Sequence, residues 1–226
     1  MTSNFKSSNV MIPAGHVWLD GVLNYSPGSA GLILIIERNG NNLITGRSAF
    51  LATLLNEQGF STLTASMLSH DEQKRTPGLW NQIPVLSGRL TAVATWIADQ
   101  AQLLTLSLGV LARDTSAAAM IRIAAQGNHA FAALACRGGR PDLAGLQPID
   151  SLRLPLMLVV GELDNETSLQ NQQVYGRLHC PKRLSAIPKA SHTFEEIGTL
   201  ELLGQELAFW YKLWLVNGGV EPLPNP

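Results

Sequence analysis

LTLSLGVLARDTSAAAM, residues 104–120, places an apolar run, two charged residues and a run of small residues in that order. Residues 104–112 are apolar enough for a strand buried on both faces. The run stops at Arg113-Asp114, and a helix-compatible stretch begins at Thr115. Strand, sharp turn and helix are the parts of a parallel sheet covered on both sides, and such sheets hold ligands beyond the carboxyl ends of their strands. Asp114 therefore stands where such folds put chemistry.

Working outward, residues 31–36 (GLILII) read as another buried strand, closed by Glu37-Arg38-Asn39-Gly40-Asn41-Asn42. Asn and Gly tolerate positive φ, so this loop can turn backbone N–H groups inward. Phe50, Leu51, Leu54 and Leu55 recur at helical spacing before Gly59. Residues 60–68 predict a strand, residues 69–78 a polar loop, and residues 86–103 a helix with Leu90, Val93, Ala94, Trp96 and Ile97 as its apolar positions. Pro77 and Pro84 break the connection between them. Residues 10–25, interrupted by Pro13-Ala14-Gly15, predict a leading hairpin or pair of edge strands. After the helix of about 115–125 come strands at 129–136 (HAFAALAC), 155–160 (PLMLVV) and 183–187, and helices at about 167–178 and 200–216. The alternation predicts an α/β fold: a mostly parallel sheet with helices on both faces, a three-layer sandwich. Its extent is read as one domain over residues 1–226, with 1–9 and 217–226 as flexible tails.

Composition narrows the function classes. Of 226 residues, 15% are charged and 46% apolar, with a formal net charge of −1, so no basic field for nucleic acid or a membrane surface is present. The low charge makes a homodimer through an apolar patch an expectation. Cys136 and Cys180 make no disulfide framework and read as core thiols. The start, MTSNFKSSNV, has no apolar run behind a basic one, and nowhere do 18 uncharged apolar residues follow one another; a soluble cytoplasmic protein is expected. His16, His70, His129 and His179 have no zinc-set spacing, and neither GxGxxG nor the phosphate loop GxxxxGK[ST] occurs, so no metal and no cofactor is expected. Trp18, Trp80, Trp96, Trp210 and Trp214 are scattered as core or interface residues are.

Three acid–base groups stand just beyond three predicted strands: Asp114, Asp164 in GELD (161–164), and His192 in PKASHTFEE (188–196). Parallel strands bring their ends to one rim, so distance in sequence does not prevent contact. Carboxylate, imidazole and second carboxylate can serve as nucleophile, general base and orienter. Glu162 and Glu166 compete with Asp164 for the last role.

The order of these groups and the words around them resemble an α/β-hydrolase of the dienelactone hydrolase type, over about residues 31–211. RGGRPDLA (137–144) and PKASHTFEE resemble a branch of small intracellular hydrolases within it. In such relatives the central turn reads Gly-x-Ser-x-Gly or carries cysteine, whereas this chain reads Ala112-Arg113-Asp114-Thr115-Ser116. The resemblance places the nucleophile position on Asp114, the histidine on His192 and the acid on Asp164. It implies a small-molecule substrate and matches Glu37 to a glutamate that dienelactone hydrolase is expected to carry beside its nucleophile. The family's site needs positive groups for a substrate carboxylate. Arg38, Arg47, Arg113 and Arg137 are the candidates, with Asn39 a further binding residue. Backbone oxyanion donors fall on Thr115 and near Arg38.

Aspartate at that turn changes the expected chemistry. Attack of a carboxylate on an ester gives a mixed anhydride that readily reverses. Displacement at saturated carbon, then hydrolysis of the enzyme ester with histidine as base, is coherent, and haloalkane dehalogenases and epoxide hydrolases elsewhere in the superfamily look like this. Asn39 and Trp80 are the candidates for holding halide, and the sequence does not place Tyr175 well enough to assign it to an epoxide. An ester, lactone or haloalkyl compound is thus the expected substrate. The alternatives are a degenerate homologue in which Asp114 merely caps the following helix, kept as a ligand binder, or a structural dimer subunit. Arg137 and Arg140 read as ion-pair partners of Asp142, and Cys136 as a residue packed in the sheet.

Overall fold

The computed structural model describes residues 5–38, 40, 43–76, 78–127 and 130–220. Eight strands form one sheet: β1 (Lys6–Ala14), β2 (Val17–Tyr25), β3 (Leu32–Glu37), β4 (Ser61–Ser66), β5 (Leu108–Asp114), β6 (Phe131–Gly139), β7 (Leu156–Gly161) and β8 (Lys182–Ile187). Their order across the sheet is β1-β2-β4-β3-β5-β6-β7-β8. Both pairings of β2 are antiparallel and the others parallel.

Alternation along the central strands explains the layers. Ile33 and Ile35, Leu111, Ala133 and Ala135, and Met157 and Val159 face one side. There α1 (Arg47–Glu57) and α7 (Thr199–Tyr211) cover them, with Leu51, Leu55, Leu203 and Leu207 in the same buried cluster. Leu32, Leu34, Ile36, Val110, Ala112, Leu134, Cys136 and Leu158 face the other side. α3 (Ile83–Ala98), α4 (Ser116–Ala125) and α6 (Asn165–Arg177) lie there, Leu90, Val93, Ile121 and Val174 being buried against the strands. Strands covered twice need no polar face, which is why GLILII and PLMLVV are continuous apolar runs.

Several expectations are corrected. β1 starts at Lys6, within the stretch expected to be a loose tail, because residues 6–9 pair with 22–25 of β2. The first residues of the opening stretch, 104–107, are turn and irregular chain, and β5 begins at Leu108. Residues expected as polar loop contain α2 (His70–Arg75), whose capping box joins Ser69 and Glu72. That signal, Ser-x-x-Glu, was in the sequence, but no residue of α2 is buried and so no apolar stripe announced it. A short α5 (Leu146–Ser151) lies in the connection before β7. β6 runs three residues past Cys136, carrying Arg137 into the sheet. His129, the expected start of that strand, lies outside the described residues. Among the described residues no helix is long and apolar enough to cross a membrane.

Candidate active site

The ends of β5, β6 and β7 and the loop after β8 meet above the carboxyl rim of the sheet. Asp114 closes β5 with φ of 46°, a left-handed conformation that costs a non-glycine residue of order 1 kcal/mol or more and persists only when its surroundings enforce it. Ser116 enforces it from one side: its hydroxyl donates to the Arg113 carbonyl at 2.6 Å and accepts from the Arg113 N–H at 3.1 Å. Arg140 N–H donates to the Asp114 carbonyl at 3.0 Å from the other. The side chain of Asp114 does not cap α4. The N-cap is Thr115, with no side-chain cap.

The Asp114 carboxylate instead faces His192 and Arg113. Its Oδ1 is 3.3 Å from His192 Nε2, and its Oδ2 is 3.0 Å from Arg113 Nη2. His192 Nδ1 is 2.6 Å from Asp164 Oδ2. Asp164 is fixed in turn, accepting the Thr167 N–H on Oδ1 at 3.2 Å as the N-cap of α6. Asp114, His192 and Asp164, separated in the chain, thus form one line. Glu162 turns away and accepts the Lys189 N–H at 2.8 Å.

Two glycines let the imidazole in. At the end of β6 the register slips between Arg113 and Asp114, leaving Gly138, with φ of 51°, as the extra residue. A Cβ there would lie 3.1 Å from the His192 carbonyl oxygen. Gly161, at the end of β7, touches the backbone that leads to His192: a Cβ would lie 2.4 Å from the carbonyl oxygens of both Ala190 and Ser191.

Both ring nitrogens of His192 face carboxylates, so the doubly protonated ring satisfies two acceptors and a neutral ring only one. The hydrogen bond to Asp114 raises the imidazole most, burial opposes it, and Asp164 raises it further, to about 8 from 6.5. Burial pushes Asp114 up, but His192, Arg113 and Arg137 together outweigh it and hold the carboxyl below its ordinary range. Asp164 is likewise raised by burial and lowered more by Thr167 and His192. The imidazolium's contribution to folding is complete below pH 6.5 and fades as pH climbs through about 8, whereas the lowered carboxyls contribute above their ordinary range and lose that contribution on acidification. An NMR titration should place the His192 midpoint near 8, and Asp114→Asn, which removes the largest raising influence, should move it down. An unmoved midpoint would contradict the geometry.

A row of charges lines the same rim. Ile35, Leu111, Ala135 and Met157 are adjacent across the sheet, and two residues further along the first three strands stand Glu37, Arg113 and Arg137. They border a cavity of about 290 Å³ together with Asp114, His192 and Arg47. Glu37 accepts from the Ser48 hydroxyl and from the Arg38 N–H at 3.2 Å, and its Oε2 lies 3.6 Å from Arg113 Nη1. The Arg38 N–H expected as an oxyanion donor is therefore engaged by Glu37. Thr115 supplies the amide that follows Asp114 at the start of α4. Arg47 pairs with Glu195 at 3.1 Å. Of the two arginines expected to pair with Asp142 only Arg140 does so, through two bonds of 2.9 and 2.8 Å. Arg137 lines the cavity.

Trp80 is buried in the core and does not border the cavity, so it is removed from the halide candidates. Tyr175 packs under the Lys182 ammonium, 4.6 Å from its ring centre, away from the cavity. Asn39 lies outside the described residues. Cys136 is fully buried, and burial pushes its thiol up to about 12, which suits packing and not attack.

No protein-family model matches the chain. Dienelactone hydrolase from Anabaena variabilis superposes with a TM-score of 0.86 at 30% identity, covering 93% of this chain and 98% of that one. The Pyrococcus furiosus esterase Pf2001 (TM-score 0.73, 16% identity, 93% of each chain) and Est1E from Butyrivibrio proteoclasticus (0.71, 16%, 89% of this chain and 96% of that one) share the fold. Two Mycobacterium tuberculosis proteins, from strains H37Rv and CDC 1551 and each named "putative phosphoribosyl transferase", are 30% identical over 206 residues, which is 91% of this chain. The match is 46% of their length, so the chain spans about half of these curated relatives.

Proposed function

The chain belongs to the dienelactone hydrolase family of α/β-hydrolases, and from that premise we propose that it is a small-molecule hydrolase whose nucleophile is the carboxylate of Asp114. The observation that carries this is the line Asp114–His192–Asp164 at 3.3 and 2.6 Å, beginning on a residue held at positive φ where strand turns into helix. An exposed nucleophile on a strained strand-to-helix turn is the arrangement that α/β-hydrolases use.

A carboxylate works by displacement. One Asp114 oxygen attacks a saturated carbon, a C–O bond forms, and the leaving group departs with its electron pair. Water then attacks the carboxyl carbon of the enzyme ester, His192 takes the water's proton, and the alcohol product leaves with Asp114 restored as carboxylate. The resting imidazolium is no obstacle. Esterification removes the charge of Asp114, the group that raises His192 most, so the ring becomes a free base at the stage that needs one. Asp164 holds the tautomer with Nε2 unprotonated towards the ester.

Hydrolase chemistry is carried to this chain in preference to the transferase name of the mycobacterial relatives. The matched stretch is under half of those proteins, while the Anabaena enzyme matches over nearly its whole length. His192→Gln should trap the intermediate: incubated with haloalkyl compounds, that variant gains the mass of the alkyl group on the peptide containing Asp114, while the unaltered protein releases product. Saturable binding with neither adduct nor product would instead indicate a noncatalytic ligand binder.

A further inference from the structure

We propose that Asn171 is a positioning residue, whose buried side-chain amide ties the helix that carries Asp164 to the peptide that holds the Asp114 elbow and thereby sets the alignment of His192 against Asp114. The kinetic consequence rests on the displacement chemistry above; the contacts themselves do not. Asn171 is fully buried, and its Nδ2 donates both ways, to the Gly139 carbonyl at 3.0 Å and to the Thr167 carbonyl at 2.8 Å. Gly139 is the residue opposite Asp114 in the pairing of β5 with β6. Its carbonyl belongs to the same peptide group as the Arg140 N–H, which donates to the Asp114 carbonyl at 3.0 Å. Side-chain amide, peptide and elbow carbonyl are therefore in series, and hydrogen bonds in series strengthen one another.

The second bond leads to the acid. Thr167, one turn before Asn171 on α6, donates its N–H to Asp164 Oδ1 at 3.2 Å, and its hydroxyl lies 3.4 Å from His192 Nδ1. Asp114 and Asp164 stand at the ends of different strands, and the 3.3 Å contact between Asp114 and His192 is where the two halves of the line meet. Stability alone does not account for an amide here. The buried face of α6 is Thr167, Asn171 and Val174, and Asn171 Oδ1 has no hydrogen-bond partner among the described residues. A buried amide oxygen left unpaired is costly, and an apolar side chain of similar size would avoid that cost. What the amide supplies is two donors, and both go to the frame of the line. Attack by Asp114 needs only its carboxylate facing the cavity. Hydrolysis of the ester needs a water held between the Asp114 carboxyl carbon and His192 Nε2, so it depends on the spacing of the two halves. Loss of the tie should slow the second step and leave the first.

Asn171→Leu keeps the approximate volume and removes both donors. Asn171→Ser is the milder variant and carries the same readouts should the first fail to fold: its hydroxyl can reach the Thr167 carbonyl one turn back but cannot span to Gly139. Val174→Ala opens a cavity on the same buried face and is the control for destabilisation alone. An NMR titration of His192 needs no turnover. Both Asn171 variants should move its midpoint down from about 8 as the contact with Asp114, the largest raising influence, lengthens, and Val174→Ala should leave it in place. With 1-bromobutane as substrate, both Asn171 variants should lower kcat by roughly 10-fold or more, leave kcat/KM nearly unchanged, and accumulate a butyl adduct on the peptide containing Asp114. If the Asn171 variants leave the midpoint where it is, or Val174→Ala moves it as far, the amide is merely structural and the positioning role is overturned, whatever becomes of the displacement reading. If the midpoint moves in the Asn171 variants alone while neither they nor the unaltered protein form adduct or product, the alignment by Asn171 stands and displacement by Asp114 does not.

Discussion

Replacing Asp114 by asparagine is expected to reduce hydrolytic turnover by about 10⁴-fold or more, the scale seen when one member of a unit of catalytic groups is removed. The amide keeps the size of the side chain and can still accept from His192 Nε2 through its oxygen, so the elbow should survive. What it loses is the anionic lone pair that the proposed displacement requires. Because Asp114 makes no cap to α4, the substitution removes no helix-terminating contact. The cost to stability is confined to the lost charge interactions with Arg113 and His192, so thermal unfolding should fall modestly while turnover disappears, and Asp114→Ala guards against slow deamidation back to aspartate. Initial rates of halide release measure the effect directly. Turnover within tenfold of the unaltered protein would show that another group attacks.

Gly161→Ala should have the largest effect on the frame that holds the histidine. An added Cβ would meet two backbone carbonyl oxygens at 2.4 Å, and backbone cannot step aside as a flexible side chain can. The contact also lies where β7 and the His192 loop are laced together, Leu163 N–H donating to the Ala190 carbonyl at 2.9 Å and Glu162 N–H to that of Ile187 at 3.0 Å. Relief requires the loop to move outward, lengthening the 2.6 Å contact between His192 and Asp164. A loss of about 2–3 kcal/mol of stability is expected from overpacking of this kind, together with roughly 10²-fold of activity from a misplaced imidazole. Urea unfolding and initial rates would register the two separately. Gly176→Ala is the control: it lies in α6, a Cβ there meets nothing within 4 Å, and it should be neutral or stabilising. Equal behaviour of the two variants would refute the crowding at Gly161.

Residues 104–120 by themselves determined that a strand, a turn and a helix follow one another, because the run 108–112 has no polar side chain and must be buried on both faces, and a small-residue run after a charged break restarts the chain as a helix; the strand's start at Leu108 was decided by the tertiary structure. The same logic placed Asp114, Asp164 and His192 beyond strand ends, and parallel strands carry such positions to one rim whatever their distance in the chain. Glu37, Arg113 and Arg137 were visible as charges, but not as a row. Their common face depends on the register of β3, β5 and β6, a property of pairing between strands that no single segment encodes. Arg137 looked like a partner for Asp142 because they are near in sequence. Carried into β6 instead, it is pinned on the opposite side of Arg113 from Glu37, while Arg140, beyond the strand's end, is free to take Asp142. Whether a cation is satisfied or left facing a cavity is decided by which neighbours the sheet supplies, and only the tertiary structure supplied them.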